Sequence, residues 1–417
     1  MRFPDRLDLP PTGDPDGVRA WTARTLGDLA REGPDGVAAS PRFRGGQRAA
    51  HTALAGLDLT GYAARRNEVL PLSARGASGL SPYVRHGLLP LPALWRAVAG
   101  APARDRDRFR EELLWQEYAR HLYARLGPAT TRPLRYEPAS ADPGWTEPWP
   151  ETMACVRAAL EELSADGWLV NQVRMWLSSQ WTVRAGADWR TGEDRFFADL
   201  LDGSRAANRL GWQWTVGAGT GKPYGFSRWQ VTRRAPALCG RCALAERCPI
   251  EAWPAAAAGP RLSDPDPRLR HDPDVAHTAG PVTVAREPRD PEWVWLTAES
   301  LGDDDPALRT HPERPAVFVF DAPLLARLGL SGKRLVFLAE CLADLAARRE
   351  LVLLRGDPVA LLSGHALAVT FAPVPGFRRR AAGLAPVALF PWPWLVRPDA
   401  GTVSSFSAWR RRVRVPK

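Results

Sequence analysis

Gly167-Trp168-Leu169-Val170-Asn171-Gln172-Val173-Arg174-Met175-Trp176-Leu177 places Val170, Val173, Trp176 and Leu177 at helical spacing, one apolar stripe with Asn171 and Arg174 beside it. The same period runs through Phe109, Leu113, Leu114, Tyr118 and Leu122, and few alternating β-branched runs interrupt it from 18 to 254. That region is predicted to be a helical domain, with Pro- and Gly-rich breaks near 127–144 and 216–224. Residues 255–287 are rich in Pro, Asp and Ala without an apolar period, the composition of a linker. Beyond them, 293–296, 317–320, 351–354 and 367–370 are short apolar runs, with a helical stretch, 334–348, between the second and third. Strand, helix, strand with continuously apolar strands predicts a parallel sheet covered on both faces. Region 288–417 is therefore expected to be a smaller α/β, Rossmann-like domain.

The chain has 417 residues, 45% hydrophobic and 24% charged, enough for two cores of ordinary size. Its formal charge of +10 suits a partner made of phosphates, although an Arg- and Ala-rich composition alone produces such an excess. No run of about 18 apolar residues is present and the first residues lack a secretory pattern, so a cytoplasmic protein with no membrane partner is expected. Five cysteines are too few and too unevenly spaced for a disulfide scaffold.

Four segments of the helical region carry a resemblance. Ser78-Gly79-Leu80-Ser81-Pro82-Tyr83-Val84-Arg85, Glu112-Leu113-Leu114-Trp115-Gln116-Glu117-Tyr118, the 167–175 stretch and Leu201-Asp202-Gly203-Ser204-Arg205-Ala206-Ala207-Asn208-Arg209-Leu210-Gly211-Trp212-Gln213-Trp214 follow one another in the chain. Together they resemble the FAD-binding domain of the DNA photolyase and cryptochrome family. Read bare, Ser81-Pro82 is a helix start, and Trp115 and Glu112 are a core residue and a solvated one. The resemblance implies more. Tyr62, Ser78, Leu80, Ser81, Asn171, Arg174, Asp202, Ser204 and Asn208 would bind FAD, with Arg174 paired to Asp202, as a buried guanidinium also demands on electrostatic grounds. Glu112, Trp115, Asn208 and Met175 would carry catalysis, Glu112 and Trp115 reading a flipped pyrimidine dimer. Trp212 and Trp189, 23 residues apart, would pass electrons to the flavin, with Tyr136, Trp145 or Trp149 as the distal member. Ser204 departs from an Asp of many relatives, and Val170 from the His with which (6-4) photolyases donate a proton.

Cys239-Gly240-Arg241-Cys242-Ala243-Leu244-Ala245-Glu246-Arg247-Cys248-Pro249 lets one loop wrap a metal centre. With Lys222-Pro223-Tyr224 upstream, the segment is similar to bacterial iron-sulfur photolyases and cryptochromes. This implies a 4Fe-4S cluster on Cys155, Cys239, Cys242 and Cys248; zinc on the same thiolates and unligated thiols are the alternatives. Cys341, in the apolar period of a helix, reads as core.

Trp293-Val294-Trp295-Leu296, Val317-Phe318-Val319-Phe320-Asp321 and Leu353-Leu354-Arg355-Gly356-Asp357-Pro358 resemble strands of the family's antenna domain, which usually comes first. Here they come second, so the chain reads as circularly permuted. Thr297 and Ala298 stand where the family has two Arg, and the antenna pigment stays unassigned. The expected function is a monomeric, light-driven photolyase that splits pyrimidine dimers in damaged DNA. A cryptochrome-like photosensor is the second reading, and an iron-sulfur nucleic-acid-binding protein with a structural cluster is the third.

Overall fold

The computed structural model describes residue 3 and residues 6–138, 145–253 and 259–416. Residues 139–144, within a predicted break, and 254–258, at the predicted domain boundary, lie outside the described residues. The helices that position the site are α1 (Pro15–Leu26), α2 (Ser81–Arg85), α3 (Ala103–Leu126), α4 (Ala154–Asp166), α5 (Asn171–Ser179), α6 (Trp189–Asp199), α7 (Arg205–Thr215), α8 (Gly332–Ala346) and α9 (Phe406–Arg410). Helix α5 runs on into a π turn, Gln180–Arg184. Six strands follow the first seven of these helices: β1 (Ala285–Arg286), β2 (Trp293–Leu296), β3 (Ala316–Asp321), β4 (Leu351–Gly356), β5 (Leu367–Thr370) and β6 (Ala388–Phe390).

They form one sheet in the order β1-β6-β5-β2-β3-β4. Every neighbouring pair is parallel except β1 with β6, which is antiparallel, so the wholly parallel sheet expected from the sequence is corrected to a mixed one. The cause is local. Two exposed residues of β1 return along the edge strand and satisfy its backbone without any apolar run to announce them.

Both faces of the sheet are covered, and the alternation of side chains shows how. Val294, Leu296, Phe318, Phe320 and Leu353 point into the core shared with the helical region, while Trp293, Trp295, Val317, Val319, Val352 and Leu354 point into a second core with Phe377 and Leu384. Helix α8, the β3–β4 crossover, packs against α1, so the large core runs without a break from the helices into the sheet. Cys341 on α8 is 1% exposed, in keeping with a core role. The expected linker is packed where it is described. Leu269 and Ala279 are buried, and a short helix, Val275–Ala279, holds the segment down.

Residues 395–413 close over α3 through polar bonds that the apolar pattern did not announce. The Val396 amide donates to Glu117 Oε1 at 2.8 Å, Tyr118 donates to the Val403 carbonyl at 2.8 Å, and His121 meets the Val396 carbonyl at 2.7 Å. Burial pushes the Glu117 carboxyl up to about 7 from its ordinary 4.5, against the pull of Arg120. A raised carboxyl favours the folded state below the unfolded value and loses that contribution as pH rises through the folded one. The loss comes to about 3 kcal/mol over that window. Burial pushes Glu193 up to about 7 as well, against the pull of Arg205 and Arg209, so the two carboxyls should share the loss. Glu117→Gln is expected to lessen the fall in unfolding temperature between about pH 4.5 and about pH 7, read by thermal denaturation at each pH. An unchanged fall would assign it to other groups.

Candidate functional site

Helix α5 and the loop between α6 and α7 bring the two charges anticipated from sequence into contact. Arg174 Nη2 donates to Asp202 Oδ2 at 2.9 Å, with 21% of the Arg174 side chain and 6% of the Asp202 side chain exposed. Arg174 is itself aimed by its Nε, which donates to the Leu169 carbonyl at 2.9 Å. The Asp202 loop is anchored one residue later. The Gly203 carbonyl accepts from Arg85 Nε at 2.9 Å and from Arg334 Nη2 at 3.1 Å, so α2 and α8 hold it from opposite regions of the chain. A Cβ on Gly203 would lie 2.5 Å from the Phe197 carbonyl oxygen, and this close approach requires glycine. Burial pulls the Arg334 guanidinium down to about 9, with Arg85 adding to the effect and Asp202 opposing it. Arg85 and Arg334 carry no sequence signal of this role, because each acts through a backbone carbonyl more than a hundred residues away.

Two buried polar atoms here have no partner among the described residues: Asp202 Oδ1 and Asn208 Nδ2. Each would cost about 1–3 kcal/mol if left unsatisfied, so the pair marks where a polar ligand belongs. Asp202 thus offers a free acceptor and Asn208 a free donor among the described residues. Asn171, the first residue of α5, is exposed, and its amide reaches Met175 Sδ at 3.5 Å one turn on, on the side of α5 that carries Arg174. Ser204 caps α7 without a side-chain bond.

Of the other expected flavin contacts, Ser78, Leu80 and Ser81 lie at the start of α2 and Tyr62 lies against α3. Leu80 is 2% exposed and occupies the cap position ahead of Ser81, which begins the helix. Ser81 Oγ accepts from Trp168 Nε1 at 3.0 Å, while Ser78 Oγ accepts from the Leu80 amide at 3.5 Å. Tyr62 is buried edge-on to Phe109, and that burial raises its hydroxyl above the ordinary range.

On α3, Glu112 Oε1 accepts from Arg66 Nε and lies 3.1 Å from Arg108 Nη2, so one carboxylate oxygen serves two guanidiniums. Trp115 stacks on Phe406 of α9, with centroids 3.7 Å apart and planes 11° apart.

Around Trp212, 2% exposed, the ring neighbours are Phe196 at 5.2 Å and Trp181 at 6.5 Å; Trp181 in turn meets Trp149 at 4.7 Å. Trp189 is also buried, but among the described residues it forms no such ring pair with Trp212. Gly192 on α6 makes the approach possible, since a Cβ there would lie 2.2 Å from the Trp212 ring. Trp181 was not singled out in the sequence. Among 18 Trp nothing distinguishes it until the π turn places it.

Cys155 from α4 and Cys239, Cys242 and Cys248 from the later loop line one cavity, with Met153 and Ile250 among its apolar walls. Burial pushes the Cys155 thiol up to about 12, and the neighbouring Cys239 and Cys248 thiols add to it. Among the described residues, no three His, Cys, Asp or Glu side chains are gathered closely enough to hold a single metal ion.

Residues 109–234 match the family model described as the FAD binding domain of DNA photolyase. Over this segment the chain is similar to that family. The matched segment contains Glu112, Trp115, Arg174, Asp202, Asn208 and Trp212. The chain is similar to a deoxyribodipyrimidine photo-lyase of Thermus thermophilus, 36% identical over 210 residues, covering 46% of this chain and 47% of that one. It is 32% identical over 166 residues to the enzyme of that name from Synechococcus, covering 34% and 33%. Among solved structures, a class III photolyase from Agrobacterium tumefaciens aligns at 26% identity with a TM-score of 0.40, over 51% of this chain and 46% of that one. The chain spans less than half the length of these relatives. Among the described residues, no helix is long and apolar enough to cross a membrane.

Proposed function

We propose that the chain binds FAD at Arg174, Asp202 and Asn208 and acts as a light-driven photolyase on pyrimidine dimers in DNA. One observation carries this reading: the segment that matches the photolyase FAD-binding domain holds the buried Arg174–Asp202 pair together with two buried polar atoms that have no partner among the described residues, Asp202 Oδ1 and Asn208 Nδ2. Arg174 would hold negative charge at the flavin ring, Asp202 would accept a ring N–H, and Asn208 would donate. Asn171, Tyr62, Ser78, Leu80, Ser81 and Ser204 are assigned to the remaining contacts, and Met175 to catalysis with Asn208. When bound, reduced FAD supplies an excited electron that opens the dimer and returns.

Glu112 and Trp115 would read the lesion, the indole by stacking and the carboxyl by hydrogen bonding. Trp212 would connect the ring to the protein's other indoles; Trp189 is the partner expected by spacing, whereas Trp181 and Trp149 are the ones supported by ring contacts. A 4Fe-4S cluster on the four cysteines is supported by their common cavity. The order of helices before sheet supports a permuted photolyase architecture.

A second reading, a photosensor without repair, draws on the two guanidiniums that engage Glu112. Repair of a dimer-bearing oligonucleotide under blue light separates the two. The photolyase reading expects light-dependent restoration, with Glu112→Ala slowing it about ten- to a hundredfold through the lost charge-assisted hydrogen bond. A flavin-loaded protein that repairs nothing would favour the sensor.

A further inference from the structure

Residues 395–416 lie along α3 like a strap. Phe406 stacks on Trp115, the Val403 carbonyl accepts from Tyr118, Trp409 Nε1 donates to His121 Nδ1 at 3.1 Å, and Arg125 donates to the carbonyls of Gly401 and Asp399. These anchors cover Trp115 to Arg125 on α3, about 15 Å of helix. The strap therefore touches the side chain assigned to read the lesion and continues along the same helix.

Its charge is one-sided: five arginines, Arg397, Arg410, Arg411, Arg412 and Arg414, against Asp399 alone. Arg412 is neutralised by Asp399, with Nη2 2.7 Å from Oδ1. Arg397 is committed to the carbonyls of Gly280 and Pro281. Among the described residues Arg410, Arg411 and Arg414 form no ion pair, and Arg411 and Arg414 are exposed. An open groove runs between Leu395–Arg397 and Val413–Pro416, with Arg414 on its rim.

We infer that this strap is a DNA-backbone contact arm, with Arg410, Arg411 and Arg414 on the phosphates that flank the lesion while Phe406 backs the indole of Trp115. A polyanion fits because unpaired guanidiniums gain from releasing condensed counterions and pair with phosphate oxygens. DNA is favoured over other polyanions because the arm is tied to Trp115. This inference rests on the photolyase reading of Glu112 and Trp115.

The test is a salt titration of binding to a dimer-bearing and an undamaged duplex, read by fluorescence anisotropy, for the full chain and its Arg410→Gln/Arg411→Gln/Arg414→Gln variant. The arm requires that both duplexes bind more weakly to the variant and that the slope of log affinity against log salt falls by roughly one per arginine removed. Glu112→Ala should lower the preference for damaged DNA and leave the slope alone. Wild-type affinity and slope in the triple variant would overturn the arm and leave the lesion-reading assignment standing. A wild-type chain that does not distinguish the duplexes would overturn the lesion reading, and the arm's place beside a lesion with it. The three arginines make no described ion pair, so the variant should melt with the wild type, and its melting curve confirms that binding is read on folded protein.

Discussion

Asp202→Ala is expected to yield a folded protein that comes off purification almost free of flavin. Asp202 Oδ1 is buried without a protein partner and Oδ2 holds Arg174, so the substitution removes a ligand contact and the residue that orients a second one. A hydrogen bond to a charged group contributes about 1.5–3 kcal/mol, which corresponds to a roughly ten- to hundredfold loss of FAD affinity. Arg174 retains its bond to the Leu169 carbonyl and is 21% exposed, so its charge stays hydrated and the fold should survive. Flavin released by denaturation, counted per chain, checks this. Wild-type occupancy in Asp202→Ala would move the ligand elsewhere.

The largest loss of stability should follow Asp272→Ala. Arg125 Nε lies 3.2 Å from Asp272 Oδ2, with 1% of the Arg125 side chain and 3% of the Asp272 side chain exposed, an ion pair in place although its geometry is not that of a linear hydrogen bond. The other Arg125 nitrogens donate to the carbonyls of Arg268, Asp399 and Gly401, so this one guanidinium joins α3, the segment after 259 and the C-terminal strap. Removing the carboxylate leaves a cation buried without its counter-charge, a change of about 3–5 kcal/mol that lowers the unfolding temperature on the order of 10 °C. The double variant Arg125→Met/Asp272→Leu should recover most of the loss, because burying no charge at all costs little. A single variant that melts with the wild type would mean that water or the three carbonyls already balance Arg125.

The helical region and the four longer strands were legible because each has a clean apolar period, from Val170-Val173-Trp176-Leu177 to Val317–Phe320. Strands β1 and β6, two and three residues long, were not, since so short a run carries no period. The Arg174–Asp202 contact was legible through the family resemblance, and the need of a buried guanidinium for a carboxylate agreed with it. The partners of Glu112 were not. Arg66 lies 46 residues earlier, and nothing local says that it will turn toward α3. The strap was invisible for the same reason: Glu117, Tyr118, His121 and Arg125 bind backbone groups more than 270 residues away, and a backbone amide or carbonyl has no residue type to recognise. The four cysteines line one cavity, and the indole in ring contact with Trp212 is Trp181, which only the π turn brings into place.

Titration of flavin-stripped protein with FAD, followed by quenching of flavin fluorescence, asks the decisive question. Saturation at one FAD per chain, lost in Asp202→Ala and weakened in Asn208→Ala, is the expected result. Free-flavin fluorescence throughout the titration, in a protein shown to be folded, would contradict a cofactor site built on Arg174, Asp202 and Asn208.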